Sequence, residues 1–221
     1  MLSALVFDFD GTVLDTEAPE FRSWQEIYAE HGAELPLAEW AAVVGGSGEG
    51  FDPYGLLERL IGESVDKAAI RAKRRPRHAQ LIEQEVPRPG VLAAMDAARS
   101  RGMKLAVASS SHLDWVAHHL ERLNLRHAFD TICTADDVER VKPDPALYAL
   151  AVERLGVAPQ EALAVEDSRN GMLAAKRAGL HCIVVPNSVT QHSDFAEADI
   201  VLKSLDDVPL SEICNQISRS T

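Results

Sequence analysis

The chain has 221 residues, of which 46% are hydrophobic and 25% charged, a composition typical of a globular protein with a sizeable core. Its net charge of −12 disfavours nonspecific binding to large polyanionic surfaces, so we predict that it binds neither nucleic acid nor membranes. The sequence has no run of about 20 apolar residues, and its first residues lack the basic region of a signal peptide, so we predict neither a transmembrane helix nor a signal peptide. The three scattered cysteines, Cys133, Cys182 and Cys214, suggest reduced thiols, and we predict a cytoplasmic protein.

Six short apolar runs alternate with helical patterns, which predicts a parallel sheet with helices on both faces. The predicted strands are Leu2–Phe7, Lys104–Ala108, Phe129–Cys133, Ala162–Val165, Cys182–Val185 and Asp199–Leu202. The predicted helices between them are Leu92–Ser100, Leu113–Leu123, Ala146–Leu155 and Arg169–Ala178. The predicted fold class is therefore α/β with a Rossmann-like sheet, and Ser111 is a candidate N-cap of the second of these helices.

One long segment departs from this alternation. Residues 15–86 show helical periodicity without a strand pattern, and the predicted helices are Glu17–His31, Tyr54–Ile61 and Asp66–Gln84, the last kinked or divided at Pro76. We therefore predict an α/β core formed by residues 1–14 and 87–221 and an inserted helical cap formed by residues 15–86. Within the first helix, Phe21, Trp24 and Tyr28 lie on one stripe, which is either the core of the cap or a surface for a sugar ring.

The most unusual polar side chains follow predicted strands. They are Asp8 and Asp10 after the first strand, Ser109, Ser110 and Ser111 after the second, Lys142 after the third, and Glu166 and Asp167 after the fourth. Ligands of open parallel sheets bind beyond the carboxyl ends of the strands, so these groups should meet at one edge. Clustered carboxylates suit Mg²⁺, whereas lysine and serine donors suit a phosphate group. Together they predict phosphoryl-transfer chemistry.

Four motifs, in this order and spacing, resemble the haloacid dehalogenase superfamily of Mg²⁺-dependent phosphotransferases. They are DFDGT at 8–12, the serine after the second strand, VKPDP at 141–145 and VEDSRNG at 165–171. This resemblance implies that Asp8 is the nucleophile and Asp10 the general acid/base. It also implies that Ser109 and Lys142 hold the transferring phosphoryl group, and that residues 15–86 form a cap of the helical-bundle type.

The same resemblance implies a metal site and a phosphate loop. Asp8, the backbone carbonyl of Asp10 and Asp167 would bind Mg²⁺, with Glu166 acting directly or through a water molecule. Gly11 and Thr12 would shape the turn, and backbone N–H groups near Phe9 and Asp10 would bind the phosphate. Ser110 is a further candidate for phosphate binding.

The presence of an acid at Asp10 favours phosphate esters over haloacids, because the dehalogenases of the superfamily lack that acid. The stretch DGTVLDTEAPEFRSW at 10–24 is similar to β-phosphoglucomutases and to sugar-phosphate phosphatases. The mutases have a histidine where this chain has Glu20 and an arginine in the loop that is GGSGEG here, where Glu49 would repel a phosphate. Arg74 lies close to the position of a cap lysine of the mutases, and Glu20 and Arg74 are candidate substrate-binding residues.

We therefore predict a monomeric phosphatase of a small phosphorylated metabolite, a sugar phosphate, acting through an aspartyl phosphate. The principal alternative is a β-phosphoglucomutase-type phosphomutase, followed by a receiver-like module or a non-catalytic phosphate-binding protein. The basic run Arg71–His78 is either a solvated helix face or a source of one or two side chains over the active site. We interpret His112, His118 and His119 as surface residues.

Overall fold

A parallel sheet of six strands forms the centre of the computed structural model, which describes residues 2–46 and 51–220. The strands are β1 (Ala4–Phe7), β2 (Lys104–Ala108), β3 (Thr131–Cys133), β4 (Ala162–Glu166), β5 (His181–Val184) and β6 (Ile200–Val201). Their spatial order is β3-β2-β1-β4-β5-β6, and all neighbouring pairs are parallel. This is the strand order of a doubly wound Rossmann sheet, so the predicted fold class is confirmed.

Helices connect the strands and cover the sheet. In the described part of the chain they are α1 (Glu17–Glu30), α2 (Leu37–Ala41), α3 (Pro53–Ile61), α4 (Lys67–Glu83), α5 (Val91–Ser100), α6 (Leu113–Arg122), α7 (Ala146–Leu155), α8 (Arg169–Arg177) and α9 (Leu210–Ser220). The sequence patterns did not predict α2 or α9. Helix α2 has only five residues, too few to establish a period, whereas α9 has buried apolar residues at 210, 213, 214 and 217, a helical spacing.

The central strands β1 and β4 are buried on both faces, and the two faces differ in side-chain size. In β1, Leu5 and Phe7 belong to one apolar cluster, which includes residues of α5, α6 and α9. Ala4 and Val6 point to the opposite face, where a second cluster includes residues of α7 and α8. This alternation with a period of two residues follows from strand geometry, and burial of both faces explains the continuous apolar runs in the sequence.

The four helices α1 to α4 lie between β1 and α5 in the chain, and they have an apolar cluster of their own. Trp24 and Tyr28 are buried in that cluster, which supports the core interpretation of the α1 stripe rather than sugar stacking. Helix α4 runs continuously through Pro76, so the proline does not divide it. Buried Ile70 before the proline and Leu81 after it anchor both halves of the helix. The proposed domain boundaries at 14/15 and 86/87 stay a prediction.

All three cysteines are buried and unpaired. Among the described helices, none combines the length and the apolar character that crossing a bilayer requires.

Candidate active site

The candidate site lies at the carboxyl end of the central strand β1, between the loops that follow β2 and β4. The chain turns sharply after β1 at Gly11, whose φ of +83° is a conformation that favours glycine. A Cβ atom at Gly11 would lie 2.4 Å from Oδ2 of Asp167. The guanidinium of Arg88 donates to the carbonyls of Gly11, Val185 and Pro186 and so ties the turn to the end of β5. Glycine at this position therefore allows the loop after β1 to contact Asp167 in the loop after β4.

A buried charge cluster forms the floor of the site. The Lys142 ammonium lies 2.5 Å from Oδ1 of Asp8 and 2.7 Å from Oε1 of Glu166, and its side chain is fully buried. The hydroxyl of Tyr148 donates to the same Glu166 oxygen at 2.6 Å. Burial alone would lower the pKa of Lys142, but the two carboxylates outweigh it and hold that pKa above its ordinary value. Lys142 is therefore a fixed positive charge beside Asp8.

Three carboxylates of this floor, those of Asp8, Glu166 and Asp167, are close enough to share one metal ion. Burial raises the pKa of Asp8 to about 8 despite the attraction of Lys142, and burial and the Asp8 charge raise that of Asp167. With all three ionised, the single ammonium of Lys142 leaves two negative charges uncompensated. Oδ2 of Asp8 is buried and has no hydrogen-bond partner among residues 2–46 and 51–220. This excess charge and the free oxygen fit a divalent cation with oxygen ligands, such as Mg²⁺.

Neighbouring groups hold the other two carboxylates in place. Asn187 donates to Oδ2 of Asp167 at 2.7 Å, and Ser168 donates to Oε2 of Glu166 at 3.2 Å. Gly171, in the first turn of α8, lies directly against Glu166, where a Cβ atom would come within 2.0 Å of the carboxylate. Close packing of α8 thus fixes the rotamer of Glu166.

Asp10 is held apart from this floor by four hydrogen-bond donors. Its Oδ1 accepts from the Thr16 hydroxyl at 3.0 Å and from the Trp115 indole N–H at 2.8 Å. Its Oδ2 accepts from the hydroxyls of Ser109 at 3.2 Å and Ser111 at 2.7 Å. The side chain of Asp10 therefore lies outside the carboxylate cluster of Asp8, Glu166 and Asp167, and the metal contact of its backbone carbonyl stays a prediction.

A cavity of about 200 Å³ opens above Asp8 and Asp10. Its lining consists of Asp8, Asp10, Thr16, Glu17, Glu20, Gly45, Gly46, His78, Ser110, Ser111 and Trp115. Sites for drug-sized ligands typically measure about 300–1,000 Å³, so this cavity suits a smaller molecule. The core provides its floor, and helices α1 and α4 of the insert provide the opposite wall.

On the wall formed by the insert, Glu20 lies between two basic side chains. Arg74 donates to Oε1 of Glu20 at 2.8 Å, and Nε2 of His78 lies 2.7 Å from Oε2. Burial opposes ionisation, but His78 and Arg74 outweigh it and hold the pKa of Glu20 below its ordinary value. Arg74 also donates to Ser23 and lies over the ring of Trp24. The cation at Arg74 is thus already paired, although the sequence made it a candidate phosphate ligand.

Other candidates from the sequence have different surroundings. The side chain of Phe9 is fully buried and packs against the ring of His119, and Thr12 faces Asp167 at 3.5 Å. The hydroxyl of Ser110 donates to the carbonyl of Gly45, which connects the core to the insert. Most of the GGSGEG loop, including Glu49, lies outside the described residues.

Two expectations for the loop after β2 and for helix α6 are wrong. Ser111 does not cap α6, because His112 occupies the N-cap position and the Ser111 hydroxyl is bonded to Asp10. His119 is not a surface residue: its side chain is buried against Trp115, and both ring nitrogens lack partners within the described chain. His119 belongs to the apolar face of α6, three residues after Val116. The sequence prediction failed because histidine is classed as polar, whereas this position is part of the core.

Sequence reasoning did not name Thr16, Glu17 or Trp115 as site residues, although all three line the cavity, and it included His78 only within the basic run Arg71–His78. Glu17 lies one helical turn before Glu20, and this spacing was the available signal. Burial, together with the charges of Asp10 and Glu20, raises the pKa of Glu17 well above its usual range. No sequence pattern indicates that the Trp115 indole points towards Asp10, because that contact depends on how α6 packs against β1.

Comparisons with known proteins agree with this site. The family model described as "Haloacid dehalogenase-like hydrolase" matches residues 5–185. The chain belongs to this family. It is 46% identical to "Putative phosphatase YhcW" of Bacillus subtilis (strain 168) over 99% of both chains. It is 31% identical to "Phosphorylated carbohydrates phosphatase" of Thermotoga maritima, over 90% of this chain and 93% of the relative.

A solved structure shares the architecture. The crystal structure titled "putative beta-phosphoglucomutase from Thermotoga maritima" superposes with a TM-score of 0.76 and 26% identity, covering 96% of this chain and all of that one. The predicted likeness to mutases and sugar-phosphate phosphatases is confirmed, and the chain is a phosphatase of the haloacid dehalogenase-like family.

Proposed function

We propose that this phosphatase hydrolyses a small sugar phosphate through an aspartyl phosphate on Asp8, with Mg²⁺ bound at the floor of the site. The observation that carries the proposal is the Asp8 carboxylate in the lining of the cavity: its Oδ1 contacts the Lys142 ammonium, its Oδ2 has no hydrogen-bond partner among the described residues, and Asp10 follows two residues later. A nucleophile, a fixed positive charge and a separate acid are the groups that such a reaction needs.

The residues that would hold Mg²⁺ are Asp8 and Asp167, with Glu166 directly or through a water molecule and the backbone carbonyl of Asp10. When bound, the ion would neutralise charge on the phosphoryl oxygens and keep Asp8 ionised. The two uncompensated negative charges of the floor support this assignment.

In the first step, a carboxylate oxygen of Asp8 attacks phosphorus and the bond between phosphorus and the ester oxygen breaks. Asp10 transfers its proton to the departing oxygen, so a neutral alcohol leaves. Before this step, one Asp10 oxygen must be released from its hydrogen-bond donors to carry the proton. Lys142 lies where it would stabilise the transferring group, and Ser109 lies beside Asp10 to bind it.

In the second step, a water molecule attacks the phosphorus of the aspartyl phosphate. The Asp10 carboxylate takes a proton from that water, the bond between phosphorus and Asp8 breaks, and inorganic phosphate leaves. Both carboxylates return to their starting states, so Asp10 serves as acid and then as base.

The wall formed by the insert supports a substrate with hydroxyl groups rather than a second phosphate. Its side chains are carboxyl and imidazole groups, which exchange hydrogen bonds with hydroxyls, and its cation Arg74 is paired with Glu20. A bisphosphate intermediate of a mutase would need a free cation on this side. The paired Arg74 therefore favours the phosphatase over the mutase alternative, and the relative from Thermotoga maritima that is named for phosphorylated carbohydrates supports the same class.

We further propose that residues 15–86 act as the cap, that linkers near 15–16 and 86–89 let it open, and that the enzyme is a cytoplasmic monomer. The contacts of Ser110 with Gly45 and of Asn170 with Val44 connect cap and core in the docked state and exclude water from the site.

A screen of phosphate release tests the function. The enzyme is incubated with Mg²⁺ and sugar monophosphates, phosphoglycolate or nucleotides, and each reaction is repeated in EDTA. We expect sugar monophosphates to be hydrolysed fastest and EDTA to abolish turnover. Conversion of β-glucose 1-phosphate to glucose 6-phosphate on addition of a hexose bisphosphate, without phosphate release, would establish the mutase instead. Undiminished release in EDTA would contradict the metal assignment.

A further inference from the structure

We propose that Trp115 is a positioning residue for Asp10, which it orients through its indole N–H. This inference rests on the proposed role of Asp10 as the acid that protonates the leaving oxygen. Trp115 lies on α6, outside the four sequence motifs, and it donates to Oδ1 of Asp10 at 2.8 Å. Because that contact spans 105 residues of sequence, it exists only through the packing of α6 at the edge of the sheet.

Two imidazole rings hold the indole of Trp115 in place. The ring of His78 lies nearly parallel to the indole, with 8° between the planes and 6.1 Å between centroids. The ring of His119 meets the indole edge-on, with 4.3 Å between centroids, and His119 in turn packs against Phe9, the residue between the two aspartates. A ring confined in this way presents its N–H in one direction.

The indole differs from the other three donors to Asp10. Thr16, Ser109 and Ser111 offer hydroxyls that rotate and that also accept hydrogen bonds, whereas the indole nitrogen is a donor only and its direction is fixed by the ring. A proton on Asp10 is therefore kept off the oxygen that faces Trp115. The geometry assigns the proton to Oδ2, the oxygen that Ser109 and Ser111 reach. A hydroxyl can reverse its role and accept from a protonated Oδ2, and rotation of the Ser109 and Ser111 hydroxyls away from Oδ2 frees its proton for the leaving oxygen of the substrate.

Changing Trp115→Phe tests this assignment, because phenylalanine keeps an aromatic ring beside the two imidazoles and removes only the N–H. The readout is kcat/KM for two substrates, which reports the steps up to loss of the alcohol. A sugar phosphate needs a proton on its leaving oxygen, whereas p-nitrophenyl phosphate releases a stable anion that needs none. We expect about a 10-fold fall for the sugar phosphate and less than about 2-fold for p-nitrophenyl phosphate, within the range that general acids contribute. An equal fall for both substrates, or none for the sugar phosphate, would overturn the proposal.

The matched control is Trp40→Phe. Trp40 is also buried, but its indole nitrogen has no hydrogen-bond partner in the described part of the chain, and it lies in the core of the insert. We expect that this variant changes the ratio of the two kcat/KM values by less than about 2-fold. A selective loss in Trp40→Phe equal to that in Trp115→Phe would show that removal of any buried tryptophan disturbs the site.

A double-mutant cycle with Asp10→Asn separates this inference from the proposed function. If Asp10 is the acid, Asp10→Asn lowers kcat/KM for the sugar phosphate by about 10²–10⁴-fold, and adding Trp115→Phe lowers it by less than 2-fold more. An unchanged rate in Asp10→Asn would refute the role of Asp10, and with it the proposed mechanism. A large loss in Asp10→Asn with no loss in Trp115→Phe would refute only the positioning role.

A measurement on the otherwise intact chain covers the case in which Trp115→Phe does not fold. The three tryptophans give three indole ¹⁵N–¹H signals, which Trp24→Phe and Trp40→Phe assign by subtraction. Asp10→Ala removes the acceptor, and we expect the Trp115 signal alone to move upfield as its hydrogen bond is lost. An unmoved Trp115 signal would contradict the contact.

Discussion

Two charge clusters face each other across the cavity, and they are built in opposite ways. On the floor, one cation, Lys142, is shared by two carboxylates, those of Asp8 and Glu166. On the insert wall, one carboxylate, that of Glu20, is shared by the basic groups Arg74 and His78. The floor is fully buried and carries excess negative charge, whereas the wall is partly exposed and has no excess of negative charge.

This difference separates the tasks of the two regions. A buried cluster with excess negative charge attracts a metal ion and holds a nucleophile, and it depends little on which alcohol carries the phosphate. A paired cluster at a partly exposed wall offers hydrogen bonds of fixed direction, which suits the recognition of hydroxyl groups. Changes on the floor should therefore affect all substrates, and changes on the wall should affect only some of them.

The largest effect is expected for Asp8→Asn. An amide does not attack phosphorus, so kcat should fall by on the order of 10⁵-fold for sugar phosphates and p-nitrophenyl phosphate alike. Steady-state kinetics measure this fall, and an unchanged circular dichroism spectrum shows that the variant is folded. Turnover near the wild-type rate would refute the nucleophile assignment.

The next prediction concerns the packing that holds Glu166. Gly171→Ala would place a methyl group within 2.0 Å of the Glu166 carboxylate and push it away from Lys142. We expect kcat to fall about 10–100-fold for every substrate and Mg²⁺ to bind more weakly, as measured by titration calorimetry.

Gly55→Ala in α3 of the insert is the matched control for this change. There the new methyl group meets the side chain of Asp52, at 2.9 Å from Oδ2, which is exposed, caps α3 and lies outside the lining of the cavity. Activity should remain within about 2-fold of wild type. Equal losses in the two variants would show that any alanine in a short helix impairs the enzyme.

The floor should also destabilise the protein when no metal is bound. The pKa of Asp8 is raised to about 8 in the folded state against 3.8 in the unfolded state, so the folded state binds more protons between these values. The free energy of unfolding therefore falls as pH rises from about 4 to 8. In EDTA at pH 8, Asp8→Asn should be more stable than wild type by roughly 1–3 kcal/mol, a range typical of removing an uncompensated buried charge.

Denaturant unfolding at pH 5 and pH 8, with and without Mg²⁺, measures this stability. The advantage of Asp8→Asn should shrink at pH 5, where Asp8 is protonated, and also on addition of Mg²⁺. An advantage that is independent of pH would refute the explanation by buried charge.

For the insert wall, Glu20→Gln should change substrate preference rather than chemistry. The amide weakens the contacts with Arg74 and His78, and we expect KM for the best sugar phosphate to rise about 10-fold, a loss of about 1.4 kcal/mol of binding. The kcat/KM for p-nitrophenyl phosphate should stay within about 2-fold. Glu26→Gln is the control, since Glu26 lies on the same helix and pairs with Arg77 outside the cavity lining. A uniform loss for both substrates would contradict the division of tasks.

The sequence predicted the floor better than the wall for a physical reason. Asp8 and Asp167 each follow a buried strand directly, so the local pattern that identifies the strand also places the carboxylate at the edge of the sheet. Wall contacts such as Glu20 with Arg74 join residues 54 positions apart on two helices, and their side-chain directions depend on how those helices pack. A helical period predicts which face is apolar, but not which polar side chain meets which partner.

His119 shows the same limit within the core. Adjacent His118 and His119 point in different directions on α6, and no sequence pattern indicated that one of these directions is the interior. A histidine at an apolar position of an amphipathic helix is a core residue when neighbouring helices cover that face. The same argument applies to Trp115, whose place on α6 was visible and whose contact with Asp10 was not.

The smallest effect is expected on stability, at His119, one of the two histidines whose rings contact Trp115. His78 has the Glu20 carboxylate as a partner, whereas burial of His119 lowers its pKa to about 4 from 6.5. As pH falls from 6.5 to 4, the unfolded chain takes up a proton at His119 that the folded protein does not, so the free energy of unfolding decreases over this window.

His119→Phe should remove about 1–2 kcal/mol of that decrease, because phenylalanine does not titrate and fits between Phe9 and Trp115. Denaturant unfolding at pH 7 and pH 4.5 measures the decrease, and His192→Phe, a change at an exposed histidine outside α6, should leave it as in wild type. An identical decrease in His119→Phe and wild type would mean that His119 takes up its proton in the folded state as readily as in the unfolded state.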